Sequence, residues 1–333
     1  MISKYHLFPC ESYRSLDEFY TNSEKYDLFI SAYTKEDIVI KTFNKIDANK
    51  KIYLIFPEYN INTNHINDDI FEYNIIDDNI KEAEYINAMC EKYINTENND
   101  KICVDTTGFN KPYLVFLLFW FKENGIENID LIYTEPQRYL KSDKTKFSDN
   151  IIESRNIVSP YESYSSAGEN DLFIINVGYD SKLVNKVIHN VTASEIKPLI
   201  GFPSLQAIMY QENILNLIKS KTELGIKEND ELLYAPANNP FITAHVISEY
   251  VKKYVSLYKG TVNNIHLAPL ATKAQTIGMA LFYIFENDEY DNQDINLHIH
   301  YPFTHSYSAS SSEGYFRINK YTIEFDLFDK IQE

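Results

Sequence analysis

Cysteine is scarce in this chain of 333 residues, which contains only Cys10, Cys90 and Cys103. The three are far apart in the sequence, and no Cys-x-x-Cys pair occurs. This spacing excludes a disulfide framework of the kind that small secreted domains use. We therefore expect a protein of the reducing cytosol.

Long apolar runs are also missing. The most apolar stretch, residues 112–121, is followed by Lys122 and Glu123. It covers about half of the roughly 20 residues that a membrane-spanning helix needs, and it is typical of a buried helix. Residues 1–15 lack the apolar segment of a signal peptide. The sequence thus predicts a cytoplasmic protein with no membrane partner.

Basic residues are few compared with acidic ones. The chain has 31 Lys and Arg against 48 Asp and Glu, a net charge of −17 and a pI of about 4.9. A surface this acidic repels nucleic-acid backbones, which excludes duplex DNA or RNA as the main partner. A small anionic ligand remains compatible, because a few local cations and backbone N–H groups suffice to hold it.

Several well-known cofactor and catalytic motifs are absent. The chain contains no G-x-G-x-x-G, no G-x-x-x-x-G-K-[ST], no G-x-S-x-G and no H-E-x-x-H. The absence of the first argues against a dinucleotide cofactor, and the others would mark phosphate loops, nucleophile elbows and zinc proteases. We expect no cofactor.

What the chain does contain is an internal repeat. One pattern occurs twice, first as Pro9, Glu11, Ser12, Tyr13 and Ser15 and again as Pro160, Glu162, Ser163, Tyr164 and Ser166. Further matches follow in the same order, such as "DLFIS" at Asp27 and "DLFII" at Asp171. The repeat predicts two fused copies of one domain, residues 1–150 and 151–333, arranged around a pseudo-twofold axis.

Strand and helix patterns alternate in both halves. We predict strands at 26–32, 51–56, 101–105, 128–133, 171–176, 197–201, 264–268 and 296–301. The predicted helices are 35–44, 77–94, 112–124, 181–189, 204–220, 239–253 and 275–285. A strand from Phe316 onward would form an edge of the second sheet, 60–74 a surface loop, and 139–159 the interdomain linker. This alternation predicts an α/β protein of two tandem Rossmann-like halves with mainly parallel sheets.

Each half has a lysine just after a buried strand, at the start of a helix. We call residues 105–112 ("DTTGFNKP") and 268–275 ("APLATKAQ") the lysine turns, after Lys111 and Lys273. Ligands of parallel sheets bind beyond the carboxyl ends of the strands, over helix N-termini. A lysine there opposes the helix dipole unless an anion lies in front of it. The alternative is an ordinary strand–helix turn with a solvated lysine, and a second copy that is a degenerate relic.

The segment "TTGFNKP" between a strand and an apolar helix resembles the T-G-G-T-K-P turn of CARF domains, Rossmann-like sensors of cyclic oligoadenylates. Two fused copies are similar to the SAVED arrangement of CARF-like units. The resemblance covers about eight residues directly, and this chain has Phe109 and Asn110 where the family has Gly and Thr. It implies phosphate or ribose contacts for Thr106, Thr107, Gly108 and Lys111, and for Thr272 and Lys273 in the second copy.

These features predict one set of ligand-binding residues. They are Thr106, Thr107, Gly108, Asn110, Lys111, Tyr133, Arg138, Tyr179, Thr272, Lys273, Gln275 and Tyr301. Tyr133 and Tyr301 lie at or near predicted strand ends and would stack on bases. Tyr179 follows the first strand of the second half, at the switch point of the sheet.

Acid–base groups occur near the same predicted strand ends. Glu135, His300 and His305 are the candidates for catalysis. His300 and His305, with His298, also suggest a metal site. No cysteine or carboxylate cluster joins them, so a strand edge without metal is favoured. We therefore predict no metal and leave the catalytic residues open.

Three functions are compatible with these features. The favoured one is a sensor that binds a nucleotide-like or phosphorylated ligand in the cleft between the halves, in bacterial antiviral or stress signalling, with an effector protein as partner. The second is an enzyme acting on a nucleotide or sugar phosphate in that cleft. The third is a structural subunit of a larger complex, for which abundant exposed tyrosine would be suited.

Overall fold

The computed structural model describes residues 4–73, 81–139, 148–158, 166–178, 181–219, 232–307 and 312–332. The chain divides into two compact units. The N-unit comprises Leu7–Asn150 and His305–Glu333, and the C-unit comprises Ile151–Thr304 and Met1–His6. Each unit therefore takes one terminal segment from the opposite end of the sequence.

The N-unit is built on a seven-stranded mixed sheet. Its strands are β1 (Cys10–Tyr13), β2 (Tyr26–Ala32), β3 (Ala48–Leu54), β4 (Ile70–Phe71), β5 (Ile102–Asp105), β6 (Asn128–Glu135) and β15 (Arg317–Glu324), with β7 (Arg138–Tyr139) and β14 (Ser312–Glu313) as a separate pair. The strand order is β1-β15-β6-β5-β2-β3-β4. Strands β2 to β6 are parallel, and β15 runs antiparallel to β6 and β1. The helices are α1 (Leu16–Asn22), α2 (Asp37–Lys45), α3 (Lys81–Tyr93), α4 (Lys111–Glu123) and α9 (Leu327–Gln332).

The C-unit contains a six-stranded sheet. Its strands are β8 (Ser148–Asn156), β9 (Leu172–Val177), β10 (Glu195–Gly201), β11 (Leu233–Ala235), β12 (Asn264–Pro269) and β13 (Asn296–Tyr307). The order is β11-β10-β9-β12-β13-β8, and β9 to β13 pair in parallel. The helices are α5 (Ser181–Ile188), α6 (Ala207–Lys219), α7 (Pro240–Leu257) and α8 (Lys273–Asp291).

The five parallel strands of each unit share one order. Numbered along the chain within each unit, β2 to β6 and β9 to β13 both follow the order 3-2-1-4-5. The Rossmann-like α/β fold is thereby confirmed. The order reverses between β2 and β5 in the N-unit and between β9 and β12 in the C-unit, which defines the two switch points. A duplication would produce the same order twice, and the duplication itself stays a prediction.

Buried aromatic residues fill much of the interior. Tyr113 of α4 stacks on Phe56 with ring centroids 4.1 Å apart, and Phe43 stacks on Tyr53 at 3.6 Å. Several tyrosines are among the largest side chains with almost no exposure, namely Tyr5, Tyr53, Tyr85, Tyr113, Tyr290 and Tyr321. Many tyrosines thus serve the cores, and the expectation of tyrosine as a largely exposed contact residue is wrong for these six.

Helix ends follow local sequence signals. The α4 helix ends before Gly125, whose φ of 72° lies in the left-handed region that favours glycine. Asn239 is the N-cap of α7, and its side chain accepts the Ile242 N–H. Pro240 is the first residue of the helix, where its missing N–H costs nothing. Among the described residues, no helix combines the length and the apolar character needed to cross a bilayer.

The N-terminal segment is anchored in the C-unit by a buried carboxylate. Glu286 of α8 is fully buried and accepts hydrogen bonds from the Tyr5 hydroxyl at 2.9 Å and the Ser248 hydroxyl at 3.1 Å. The ammonium groups of Lys4 and Lys252 lie 3.6 and 3.5 Å from it. The first residues of the chain therefore contribute to the packing of α7 and α8.

Some predicted elements differ from the structure. The predicted edge strand after Phe316 is β15, which lies between β1 and β6 inside the N-unit sheet and not at an edge of the second sheet. The predicted loop 60–74 contains β4, and the predicted linker 139–159 contains all of β8. Strands β1 and β11 and helix α1 were not predicted. Residues 77–80 of the predicted helix 77–94 lie outside the described residues.

Candidate functional site

Both lysine turns lie at the switch points. Lys111 is the first residue of α4, directly after β5, and Lys273 is the first residue of α8, directly after β12. Ile102 pairs with Leu28 of β2, and Ile265 pairs with Leu172 of β9. Because these two leucines are equivalent in the repeat, Pro269 of the C-unit corresponds to Thr106 of the N-unit. Aligning the two turns on their lysines would instead match Pro269 with Thr107. The C-unit turn is therefore one residue shorter, and both lysines still begin their helices.

The N-unit turn is held together by its own hydroxyl and carboxylate groups. Asp105 is fully buried, accepts the Thr107 N–H at 3.0 Å, and has its other oxygen 3.2 Å from the Ser31 hydroxyl. The N–H and hydroxyl of Thr106 both donate to the Ile132 carbonyl, at 2.8 and 2.9 Å. These bonds fasten the end of β5 to β6 and β2.

Thr107 completes this arrangement, because its hydroxyl oxygen accepts the Thr134 N–H at 3.0 Å. Both threonine hydroxyls that were predicted to contact a ligand therefore make structural hydrogen bonds. A Thr107 hydroxyl that accepts from the backbone still has its own proton to donate. Thr106 is fully buried, so of the two only Thr107 keeps contact with solvent.

Gly108 allows the turn to approach β2 closely. A Cβ atom at this position would lie 2.1 Å from the carbonyl oxygen of Ala32. The Gly108 carbonyl in turn accepts a hydrogen bond from the Tyr59 hydroxyl at 2.9 Å. The turn thus covers the end of β2, and this contact explains the glycine without a ligand.

Helix α4 begins at the end of this turn. Asn110 occupies the N-cap position, is buried and makes no side-chain capping bond. Pro112 has no N–H, so the backbone donors of the first turn belong to Lys111 and Tyr113. The Lys111 side chain is half-buried. An anion at this position would meet backbone N–H groups and one ammonium group.

The C-unit turn is fastened in a different way. Thr272 is the N-cap of α8, accepts the Gln275 N–H at 3.2 Å and donates to the Ala237 carbonyl. Gln275 is fully buried, and its amide nitrogen lies 3.5 Å from the Ala235 carbonyl. The Asn176 side chain accepts the Ala271 N–H at 3.0 Å. Lys273 is half-buried, as Lys111 is.

The residues predicted at strand ends are mostly in the interior. Tyr133 and Tyr301 are 6% and 3% exposed, so their rings pack within the units and have little surface for a base. Tyr301 does not end its strand, because β13 continues to Tyr307. The side chain of Arg138 and all of Tyr179 lie outside the described part of the chain.

Glu135 ends β6 and is fixed by β15. Its carboxylate accepts the Asn319 amide N–H at 2.7 Å and lies 3.3 Å from Nε of Arg317. It is 2% exposed. A carboxylate with both oxygens engaged in this way stabilises the β6–β15 pair, which accounts for it without an acid–base role.

The histidines form a buried network in the C-unit. The Asn156 side-chain amide N–H donates to Nδ1 of His298 at 3.1 Å, so the proton of that ring is on Nε2, which lies 3.1 Å from Oδ1 of Asn264. Nδ1 of His266 lies 3.0 Å from Nε2 of His300, and one proton forms the hydrogen bond between them. Burial and the neighbouring His298 lower the pKa of His266 to about 3. Burial and His266 lower the pKa of His300 well below its ordinary value.

This network makes a metal or proton-transfer role unsupported for the described histidines. No group of three His, Cys, Asp or Glu side chains that could hold a metal occurs in the described parts of the chain. His298 and His300 lie within β13, which is flanked by β12 and β8, so they are interior residues and not at a sheet edge. The side chain of His305 lies outside the described residues.

One charged cluster at the carboxyl ends of the N-unit strands was not predicted. Glu58 follows β3, is 6% exposed, and lies 2.9 Å from the Lys81 ammonium. The hydroxyl of Tyr113, in the first turn of α4, lies 3.1 and 3.3 Å from its two oxygens. This cluster connects α3 and α4 beside the lysine turn. The only sequence signal was an acidic residue directly after a buried strand.

A comparison with models of known protein families gives no match, and a search of curated protein sequences finds no significant relative.

Proposed function

We propose that this protein binds a small anionic, nucleotide-like ligand at its lysine turns and acts as a sensor. The observation that supports this most is the position of Lys111 and Lys273. Each is the first residue of the helix that follows the fourth strand of a 3-2-1-4-5 sheet. Helix N-termini at such switch points are where α/β proteins hold phosphate groups.

Electrostatics favours an anion at these positions. A lysine in the first turn of a helix is disfavoured by the helix dipole, by roughly 0.3–1 kcal/mol. Two such lysines occur in a chain with a net charge of −17. A bound anion at these positions would be attracted by the helix dipole and by the ammonium group together.

Binding is favoured over catalysis by the state of Glu135 and His300, the two acid–base candidates whose side chains the structure describes. Glu135 is paired with Arg317 and Asn319. His300 is buried, and its pKa is lowered by burial and by His266, so it stays neutral near pH 7. A general acid or base works best with a pKa near the working pH and a path to the substrate. A sensor needs neither.

The likeness of "TTGFNKP" to the CARF turn extends the proposal to a cyclic oligonucleotide messenger and to antiviral signalling. A panel of mononucleotides, linear and cyclic oligonucleotides and inorganic phosphate would test it by thermal shift, with mass spectrometry of the recovered ligand. A sensor should be stabilised by one class and return it unaltered. Release of a product would instead establish the enzyme, and indifference to the whole panel would favour a structural subunit.

Lys111→Ala and Lys273→Ala should each weaken binding of the stabilising ligand by at least about tenfold, because each removes a charge-assisted contact worth roughly 1.5–3 kcal/mol. Isothermal titration calorimetry measures the change. Lys→Arg at the same positions should keep most of the affinity. Lys41→Ala on α2 and Lys253→Ala on α7 are matched controls, because both are exposed. Wild-type affinity in the Lys111→Ala/Lys273→Ala double variant would contradict the proposal.

An exposed apolar face favours a partner protein for this sensor. Helix α6 exposes Ile208, Leu215 and Ile218 at 51%, 55% and 59%, and the nearby Phe202 and Tyr234 are 52% and 43% exposed. Apolar side chains grouped in this way are typical of protein interaction sites. We expect ligand binding to change hydrogen exchange in α6. If α6 exchanges its amide hydrogens at the same rate with and without the ligand identified by titration, this apolar face takes no part in signalling.

A further inference from the structure

The N-unit has a pocket at the opposite end of its parallel strands from the lysine turn. Its volume is about 300 Å³. It lies over the amino ends of β2, β5 and β6, and residues of β1, β15 and the end of α1 complete its lining. The residues around it are Glu11, Tyr13, Asn22, Glu24, Tyr26, Lys101, Ile102, Asn128, Ile129, Asp130, Lys320 and Thr322. No part of the function proposed above uses this pocket.

Charges of opposite sign alternate across the pocket at hydrogen-bond spacing. The Lys320 ammonium lies 3.1 Å from the Glu11 carboxylate and 3.6 Å from the Asp130 carboxylate. The side chain of Lys320 is 20% exposed, and that of Asp130 is 18% exposed. A second ion pair, Lys101 with Glu24, lies nearer to solvent. The pocket therefore has three carboxylates and two ammonium groups.

Neighbouring hydroxyl groups hold the Asp130 and Glu11 carboxylates in place. The hydroxyls of Tyr26 and Thr322 donate to the two oxygens of Asp130 at 2.8 and 2.6 Å. The Tyr13 hydroxyl donates to Glu11 at 2.8 Å. The carboxylates thus sit on strands β1 and β6 with fixed orientation, so the pattern of charge is preorganised.

From this pattern we infer that the pocket binds a free α-amino acid. An anion that reached Lys320 would also meet the carboxylates of Glu11 and Asp130, and a cation that reached Asp130 would also meet the Lys320 ammonium. An α-amino acid has its ammonium and its carboxylate on one carbon, about 3 Å apart, so each can face its opposite. The ammonium faces Glu11 and Asp130, and the carboxylate faces Lys320 and Lys101.

The rest of the pocket fits an amino-acid side chain. The volume of about 300 Å³ is at the lower end of the range for small-molecule sites. Tyr13, Tyr26, Ile102 and Ile129 are the aromatic and aliphatic residues of the lining. Because carboxylates outnumber ammonium groups, basic amino acids bind more tightly than neutral ones, and acidic amino acids bind most weakly.

Calorimetric titration of the full chain with arginine, lysine, leucine and glutamate tests the inference. For a ligand of arginine's size we expect saturable binding with a Kd of about 1 mM or tighter, in the order basic, neutral, acidic. Agmatine, which lacks the α-carboxylate, should bind at least about tenfold more weakly than arginine. No saturation by arginine at about 10 mM, or equal binding of agmatine and arginine, would overturn the inference.

Two variants locate the binding. Asn22→Trp fills the mouth of the pocket from the exposed end of α1 and leaves every charged group in place, so arginine binding should be lost at an unchanged Tm. Glu11→Gln should weaken it by at least about tenfold. Glu91→Gln, on the exposed side of α3, is the matched control. Lys111→Ala should leave arginine binding unchanged, so the experiment distinguishes a failure of this pocket from a failure of the proposed lysine-turn site. Wild-type binding in Asn22→Trp would place the amino acid elsewhere and reject the pocket.

Discussion

Lowering the pH from about 6.5 to about 4.5 should destabilise the C-unit by about 2 kcal/mol through His266, and further through His300. Each histidine whose pKa is lowered by burial costs about 1.4 kcal/mol of folding free energy per pH unit below the ordinary pKa. The pKa of His266 falls from 6.5 to about 3 in the folded protein. Burial and His266 also lower the pKa of His300 well below its ordinary value, so its contribution has the same sign.

The direction follows from proton uptake. Below pH 6.5 the unfolded chain binds protons at both imidazoles, whereas the folded C-unit keeps them neutral, so acid favours unfolding. The loss continues until the pH reaches the folded pKa of about 3 for His266. Above pH 6.5 these two groups contribute no pH dependence.

Hydrogen exchange of peptides from β12 and β13, measured between about pH 6.5 and 4.5 and corrected for intrinsic exchange rates, would report this loss within the C-unit. The double variant His266→Leu/His300→Leu should show a much shallower pH dependence, even if its stability at pH 7 differs. His189→Gln is the control, because His189 is exposed at the end of α5. A wild-type C-unit whose protection stays constant over this range would contradict the burial of neutral imidazoles.

Asp171→Ala should lower the free energy of unfolding of the C-unit by at least about 3 kcal/mol. The Asp171 carboxylate is 1% exposed and accepts the N–H groups of Asn263 and Asn264 at 2.9 and 2.8 Å, the Gly168 N–H at 2.8 Å and the Asn264 side-chain amide at 2.8 Å. Removal would leave several buried donors without an acceptor, each costing roughly 1–3 kcal/mol. Urea unfolding followed by circular dichroism measures the loss.

The N-unit supplies a matched control at the equivalent position. Asp27, at the start of β2, accepts the Lys101 N–H at 3.0 Å and the Asn49 side-chain amide at 2.8 Å, and both bonds are exposed. Asp27→Ala should therefore cost only about 1 kcal/mol. Equal losses in the two variants would show that burial of the Asp171 bonds does not set their strength.

The sequence was most informative where a segment is buried on both faces. The predicted strand 26–32 coincides with β2, because six of its seven residues are buried and its apolar residues are interrupted only by Asp27 and Ser31. Helix ends were less well predicted. The helix predicted at 275–285 is α8 and runs from Lys273 to Asp291, because its last turns are polar and carry no apolar signal.

Pairing between distant segments could not be predicted. The alternation after Phe316 indicated a strand, but nothing local shows that β15 pairs with β6 and β1. Strands β4 and β11 have two and three residues, which is too short for a periodic pattern. Their existence depends on the strands beside them.

In the lysine turns, too, the local structure could be predicted from the sequence and the contacts with other segments could not. The sequence predicts the strand, the turn and the helix that place Lys111, and the structure contains all three. It could not predict that the hydroxyls of Thr106 and Thr107 bond to the backbone of β6, because the same residue types serve ligands and backbone alike. Only the alignment of β5 with β6 decides between the two.

The position of β15 also has a consequence for biosynthesis. This strand separates β1 from β6 in the sheet, yet it is encoded by Arg317–Glu324, near the end of the chain. Until Arg317–Glu324 have left the ribosome, β1 has no partner strand among the described strands and β6 has an open edge. The N-unit, although it contains most of the residues made first, therefore cannot complete its sheet before the strands of the C-unit have been synthesised.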